Sequence, residues 1–163
     1  MKSERIRRTD GLGDPFEMGM GRAEDVASVL KMYSVFDPKP ASQGLPPEDP
    51  ETCRDWVTML FQIGVNSLSW KDDRVVGHAS LIPDRKVNSG ELLIFVHQDH
   101  RNLGIATELT RFALEKFGEQ GFEIVWLTVR MSNFLALKLY KKLGFEFCDM
   151  DSYERVMGIR LPL

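Results

Sequence analysis

A chain of 163 residues, 43% hydrophobic and 28% charged, is long enough to bury one good core and too short for two full domains. Its net charge of -3 offers no bulk basic face for nucleic acid, so any anionic ligand has to be held locally. Cys53 and Cys148 lack metal-type spacing, no apolar run follows the basic start as a leader requires, and no stretch nears the ~18 apolar residues of a membrane span. The expectation is a cytoplasmic protein that neither enters a membrane nor binds nucleic acid.

Residues 1–15 mix charge with Gly and Pro without a sustained apolar period, which predicts a tail ahead of a single domain over 16–163. Residues 16–21, FEMGMG, predict a short strand, and Val26, Val29, Leu30 and Tyr33 recur at the spacing of a helix over 22–33. Pro38, Pro40, Pro46, Pro47 and Pro50 crowd residues 37–50; proline blocks both helix propagation and ladder hydrogen bonds, so a long loop follows. Cys53, Trp56, Val57, Leu60 and Phe61 then mark a second amphipathic helix ending before Gly64. VNSLSW and RVVGHASLIP, joined by Lys71-Asp72-Asp73, read as an antiparallel hairpin ended by the polar stretch 84–90.

Residues 92–96 are apolar on both faces, as in a central strand covered on both sides. Ile105, Leu109, Phe112, Ala113 and Phe117 give a helix whose wet side carries Glu108, Arg111 and Glu115, and Gly118 or Gly121 can close it. EIVWLTV, 123–129, is a second buried strand, and the strand, helix, strand order implies a parallel pair with a right-handed crossover. A last helix is expected over about 132–143, stopped by Gly144 with Phe145 folding back, then strands near 145–149 and 153–161.

The turn between the first buried strand and its helix is where chemistry concentrates. The first turn of a helix carries unpaired N–H groups and partial positive charge, so phosphates bind there. Gly104 lets the backbone approach a ligand, Ala106 is nearly as small, and Arg101 adds a bidentate cation. Taken alone, a glycine before a helix is more often a simple turn. In context, R101-N-L-G104-I-A106 resembles the GNAT superfamily signature of Arg or Gln, two residues, Gly, one residue, then Gly or Ala. The resemblance continues with Asn133, Ala136, Tyr140 and Gly144-Phe145, while Gln98 and His100 stand where Pro and Tyr are frequent.

What the resemblance implies is an α/β (α+β) single domain with a mixed sheet of about six to seven strands, splayed between two central parallel strands and flanked by about four helices. It implies acetyl-coenzyme A as cosubstrate, no metal, and transfer of the acetyl group to an amine. Arg101, Asn102, Leu103, Gly104, Ile105, Ala106 and Thr107 would hold the pyrophosphate, and backbone groups of Ile94, Phe95 and Val96 the pantetheine and the oxyanion. Tyr140 would protonate the departing thiolate and Asn133 would hydrogen-bond the cofactor, although by type alone they read as a core tyrosine and a helix-start residue.

An ammonium must lose a proton before it attacks a thioester, and Glu91, the single acid of the central strand, is the candidate base; otherwise it is a strand-end residue in solvent. A bulge in that strand, common in the family, would settle which face Glu91 takes. Neither cysteine has a nucleophile's setting, so direct attack in a ternary complex is expected. His97 and His100 are spaced as H-x-x-H without a third ligand and read as loop histidines beside phosphate. The acceptor is either a small amine or amino-acid derivative or a protein lysine; Glu91-Leu-Leu-Ile-Phe-Val-His97 is similar to the bacterial protein-lysine acetyltransferase branch. A non-catalytic acetyl-coenzyme A sensor is the alternative, and a homodimer is left open.

Overall fold

The computed structural model describes residues 4–40, 44–148 and 154–162. A hairpin of β1 (Arg5–Thr9) and β2 (Pro15–Met20) leads into α1 (Val26–Ser34) and α2 (Pro50–Ile63), then the hairpin β3 (Val65–Lys71) and β4 (Arg74–Asp84). After these come β5 (Ser89–Val96), α3 (Ile105–Glu119), β6 (Ile124–Arg130), α4 (Phe134–Leu143), β7 (Glu146–Phe147) and β8 (Glu154–Arg160). The described residues form one eight-stranded sheet in the order β1-β2-β3-β4-β5-β6-β8-β7, antiparallel except between β5 and β6. That is more strands than expected, and the added one is β1.

Residues 5–9 therefore correct the expectation of a tail. Only Ile6 is apolar there, so the period gives no warning; the strand is held by its ladder with β2 and by Arg5, whose guanidinium lies 3.8 Å over the Trp70 ring. An edge strand rich in arginine also resists pairing with other chains.

The helices begin and end as local chemistry dictates. Asp49 caps α2, accepting from the Thr52 N–H at 2.8 Å with Pro50 in the first turn, so the last proline of the loop starts a helix rather than breaking one. The expected first helix starts later, because residues 23–25 form a short 3-10 turn. Asp72 and Asp73 both have positive φ (50° and 61°), the twist a two-residue hairpin needs. Gly121 (φ 91°) follows α3, and Gly144 (φ 104°) ends α4, with the Phe145 N–H folding back to the Tyr140 carbonyl at 3.0 Å. Of the two expected closing strands, residues 149 and 153 lie outside the described residues.

Two apolar layers cover the sheet. On one face Leu109, Ala113, Leu114 and Phe117 of α3 pack with Ala79, Leu81, Leu92 and Val96, and with Val125, Leu127 and Val129 of β6. On the other, Val29, Met32 and Tyr33 of α1 and Cys53 and Val57 of α2 pack on Leu68, Trp70 and Phe95. That second layer encloses a polar chain. The Asn66 amide donates to the Leu60 carbonyl (2.9 Å), which leaves its carbonyl oxygen to accept from His78 Nε2 (2.8 Å), and His78 Nδ1 then accepts from the Tyr33 hydroxyl (2.7 Å).

Burial holds the His78 pKa down to about 3. Because the native state refuses a proton that the unfolded chain takes up below about 6.5, stability must rise with pH across that interval and fall on acidification. Partial burial lowers His100 in the same direction. Urea unfolding is expected to give about 2 kcal/mol less stability at pH 5 than at pH 7.5; a flat profile would mean that His78 is protonated in the folded protein.

Candidate active site

The parallel pairing of β5 with β6 lasts three rungs, Ser89 to Ile124, Gly90 to Val125 and Glu91 to Trp126, after which the strands part. The register of β5 against β4 is continuous from Gly77 and Val96 to Asp84 and Ser89, so β5 contains no bulge; the sheet's irregularity lies at Ser69 and Trp70 in β3. No bulge is there to settle the parity, and simple alternation settles the faces. Glu91, Leu93 and Phe95 face α1 and α2, whereas Leu92, Ile94 and Val96 face α3.

The same register decides which backbone groups are free. The His97 N–H reaches the Val76 carbonyl at 2.8 Å, so alternate residues back along β5, including Phe95, spend their N–H groups on β4. Those of Ile94 and Val96 point across the split past the last rung, where β6 no longer answers them. Of the three strand residues expected to bind through the backbone, Ile94 and Val96 have groups to offer and Phe95 offers its ring.

At the mouth of the split stands the first turn of α3. Gly104 is its N-cap in the left-handed region (φ 82°), preceded by Asn102 at φ 61°, and the first intrahelical bond is from the Glu108 N–H to the Gly104 carbonyl at 3.1 Å. The N–H groups of Ile105, Ala106 and Thr107 are consequently unpaired and aligned with the helix dipole. The side chain of Ile105 is fully buried in the core and that of Leu103 packs against it, so any ligand contact by these two is through the backbone. The Leu103 carbonyl accepts from the Gly11 N–H at 2.8 Å, which ties the β1–β2 turn to this turn. Asp10 stiffens that support: its carboxylate pairs with Lys71, which keeps its pKa below the ordinary value, and accepts from the Leu12 and Asp14 N–H groups.

A cavity of about 610 Å³ fills the split. Glu91, Ile94, Phe95, Val96, Arg101, Asn102, Gly104, Ala106, Thr107, Asn133 and Tyr140 all line it, so most of the residues singled out in the sequence meet in one place. Leu103 and Ile105 do not line it. Arg101 donates through Nε to the Val96 carbonyl at 2.9 Å and lays its guanidinium 5.1 Å from the Phe36 ring centroid. Asn133 caps α4, its side-chain oxygen accepting from the Ala136 N–H at 3.2 Å, which leaves its amide N–H groups for a ligand.

Tyr140 is 9% exposed and packs 5.6 Å from Phe145. Its hydroxyl has no protein partner among the described residues and is not sealed off, so it opens on the cavity. Burial raises its pKa well above the usual phenol value, so it carries its proton at neutral pH. Glu91 is half-buried at the closed end of the split, without a hydrogen-bond or ion-pair partner among the described residues, and burial raises its pKa. A protonated phenol and a readily protonated carboxylate facing one cavity can donate and accept a proton during the same reaction.

Sequence reading missed part of the cavity wall. Phe36, Pro38 and Leu45 line the cavity from the end of α1 and the proline-rich loop, and Lys138 and Lys142 line it from α4. Gln98 holds this wall: its side-chain oxygen accepts from the Asp37 N–H at 2.9 Å and its amide donates to the Val35 carbonyl at 2.7 Å. No local pattern signals a bridge across more than 60 residues; the glutamine in place of the family's frequent proline was its one trace. His97 instead accepts from the Asp99 N–H, and among the described residues no group of three metal-ligating side chains occurs.

A family model described as acetyltransferase (GNAT) family matches residues 29–145. A curated relative, the streptothricin acetyltransferase of Streptomyces lavendulae, is 39% identical over 59 residues, 36% of this chain and 31% of that protein's length. The chain thus spans about a third of the relative it matches. Among solved structures, the GNAT domain of S. lividans PAT superposes with a TM-score of 0.78 at 12% identity, covering 96% of this chain and 97% of that one. The yncA protein of Salmonella typhimurium, solved with its cofactor acetyl-CoA, superposes with a TM-score of 0.72 at 16% identity, covering 90% and 94%. At these identities the structures establish a shared fold.

Proposed function

Because this chain belongs to the acetyltransferase (GNAT) family, we propose that it transfers the acetyl group of acetyl-coenzyme A to a primary amine by direct attack in a ternary complex. The observation that carries the reading is the juxtaposition, in one cavity, of a free helix N-terminus, an unpaired strand edge, a protonated tyrosine and a partnerless carboxylate. The three N–H groups of Ile105, Ala106 and Thr107 bind pyrophosphate, with Arg101, Lys138 and Lys142 supplying full charges nearby. The amides of the pantetheine arm replace β6 along the open edge of β5, and the same edge offers the Ile94 and Val96 N–H groups to the thioester oxygen as it gains charge.

Glu91, at the far end of the split, takes the proton of the acceptor ammonium directly or through water; the free amine attacks the thioester carbonyl, and Tyr140 gives its proton to the leaving thiolate. An acyl-cysteine route has no support: burial raises the pKa of Cys53, and Cys148 is exposed; neither lines the cavity. Release of free thiol from acetyl-coenzyme A, followed with a panel of amines, tests the reading. If the purified protein binds the cofactor and no amine or lysine peptide accelerates thiol release, it is a sensor.

The base assignment has its own pH signature. In the wild type kcat/KM is expected to rise with pH through the raised pKa of Glu91; in Glu91→Gln that limb disappears and the plateau falls about 10- to 100-fold. An unmoved profile would place the base elsewhere. The stability change has the opposite sign. Burial disfavours the carboxylate, so its contribution is full below the ordinary carboxylate pKa and is lost as pH rises through the raised one. Glu91→Gln should accordingly be the more stable protein at neutral pH, with the difference vanishing in acid.

A further inference from the structure

Resting on that acetyl-transfer reading, we propose that the acceptor is a small monoamine carried on a flat or branched apolar body, in preference to a polycation or a protein lysine. The acceptor side of the cavity is the face of β5 that carries Glu91, Leu93 and Phe95, covered by Phe36, Pro38 and Leu45. Apart from one carboxylate these side chains are apolar, so a molecule seated there presents one nitrogen to Glu91 and hydrocarbon to everything else. The wall is also rigid. Phe95 is met nearly perpendicularly by Phe36 (5.9 Å, 82°), Trp56 (5.7 Å, 81°) and Tyr33 (5.9 Å, 79°), and ring-on-ring packing of this kind leaves no polar atom free to greet a second charge.

Charge points the same way. Among the described residues lining the cavity Glu91 is the single acid, while Arg101, Lys138 and Lys142 are matched by the cofactor's phosphates. A polyamine or an amino sugar bearing several ammonium groups needs several carboxylates, and each ammonium beyond the first is desolvated against this apolar wall without compensation. A lysine on a protein surface needs an open platform around a narrow hole. Here Phe36 is held over the cavity from two sides, by the Gln98 bridge to Val35 and Asp37 and by the Arg101 guanidinium against its ring. The acceptor end is therefore a covered slot fitted to a small molecule.

The test compares phenethylamine, spermidine and a lysine-containing peptide at saturating acetyl-coenzyme A, with cofactor binding measured separately by calorimetry. The expected kcat/KM for phenethylamine exceeds that of each of the others by about tenfold or more, the scale on which an apolar pocket discriminates. Phe36→Ala should raise the KM for phenethylamine about tenfold, well beyond any change in the KM for ethylamine, and Phe36→Leu, which keeps an apolar wall, should fall between wild type and Phe36→Ala. Equal or better use of spermidine or the peptide, or indifference of phenethylamine to both Phe36 variants, overturns the acceptor assignment while acetyl transfer stands. Cofactor binding without turnover of any amine overturns both.

Discussion

Tyr140→Phe is expected to lower kcat by about 100-fold, the typical contribution of a positioned general acid, with the dissociation constant for acetyl-coenzyme A unchanged. The substitution removes one oxygen and leaves the ring, so the packing against Phe145 and the α4 face formed with Leu137 and Leu143 survive. Because the hydroxyl has no protein partner among the described residues, nothing buried is orphaned and unfolding midpoints should not move appreciably. The raised pKa suits the proposed role. A phenol pushed upward by burial keeps its proton through the attack and releases it when charge develops on sulfur. A further discriminating measurement uses a thioester analogue with a more acidic leaving thiol, which needs less protonation. The defect of Tyr140→Phe should shrink with such a donor, and a defect of constant size, or an unchanged kcat, would remove Tyr140 as the acid.

The second large effect is expected at the helix entrance. Gly104 sits at φ 82°, and a Cβ built there meets nothing within 4 Å, so in the unliganded protein the obstacle is conformational. A β-branched side chain in that region costs on the order of 1–3 kcal/mol. Where the chain can relax, it will do so by swinging the N–H groups of Ile105 and Ala106 out of line, and the empty space beside Gly104 is where the proposed function brings a phosphate. Gly104→Val should therefore weaken acetyl-coenzyme A binding about 10- to 100-fold while the sheet and its core persist. Gly118→Ala is the control: its Cβ meets only Leu161 Cδ1 at 4.0 Å within α3, so it should leave affinity unchanged and raise stability by up to about 1 kcal/mol. Calorimetric titration of both variants separates a phosphate site from a glycine needed solely for folding. If Gly104→Val binds the cofactor like the wild type, the phosphates lie elsewhere.

The donor half was legible because its determinants are local. The apolar run of β5, the turn from Arg101 to Ala106 and the helical spacing of Asn133, Tyr140 and Gly144 lie in sequence windows where period and capping chemistry act directly, and the structure brings them around one cavity. Where reading failed, long-range contacts decided. The tail became β1 because Arg5 found Trp70, and the parity of Glu91 came from an unbroken register with β4 rather than from a bulge.

By itself, the sequence determined the order of elements and located the turn proposed to bind phosphate and the candidate acid, since helix caps, glycine conformations and apolar periods are properties of neighbouring residues. Only the tertiary structure decided how far β5 and β6 run together before parting, which backbone groups that parting frees, and that Phe36, Pro38 and Leu45 line one cavity with Glu91. Those outcomes depend on contacts between segments tens of residues apart, such as Gln98 with Val35 and Asp37, whose geometry no local pattern encodes.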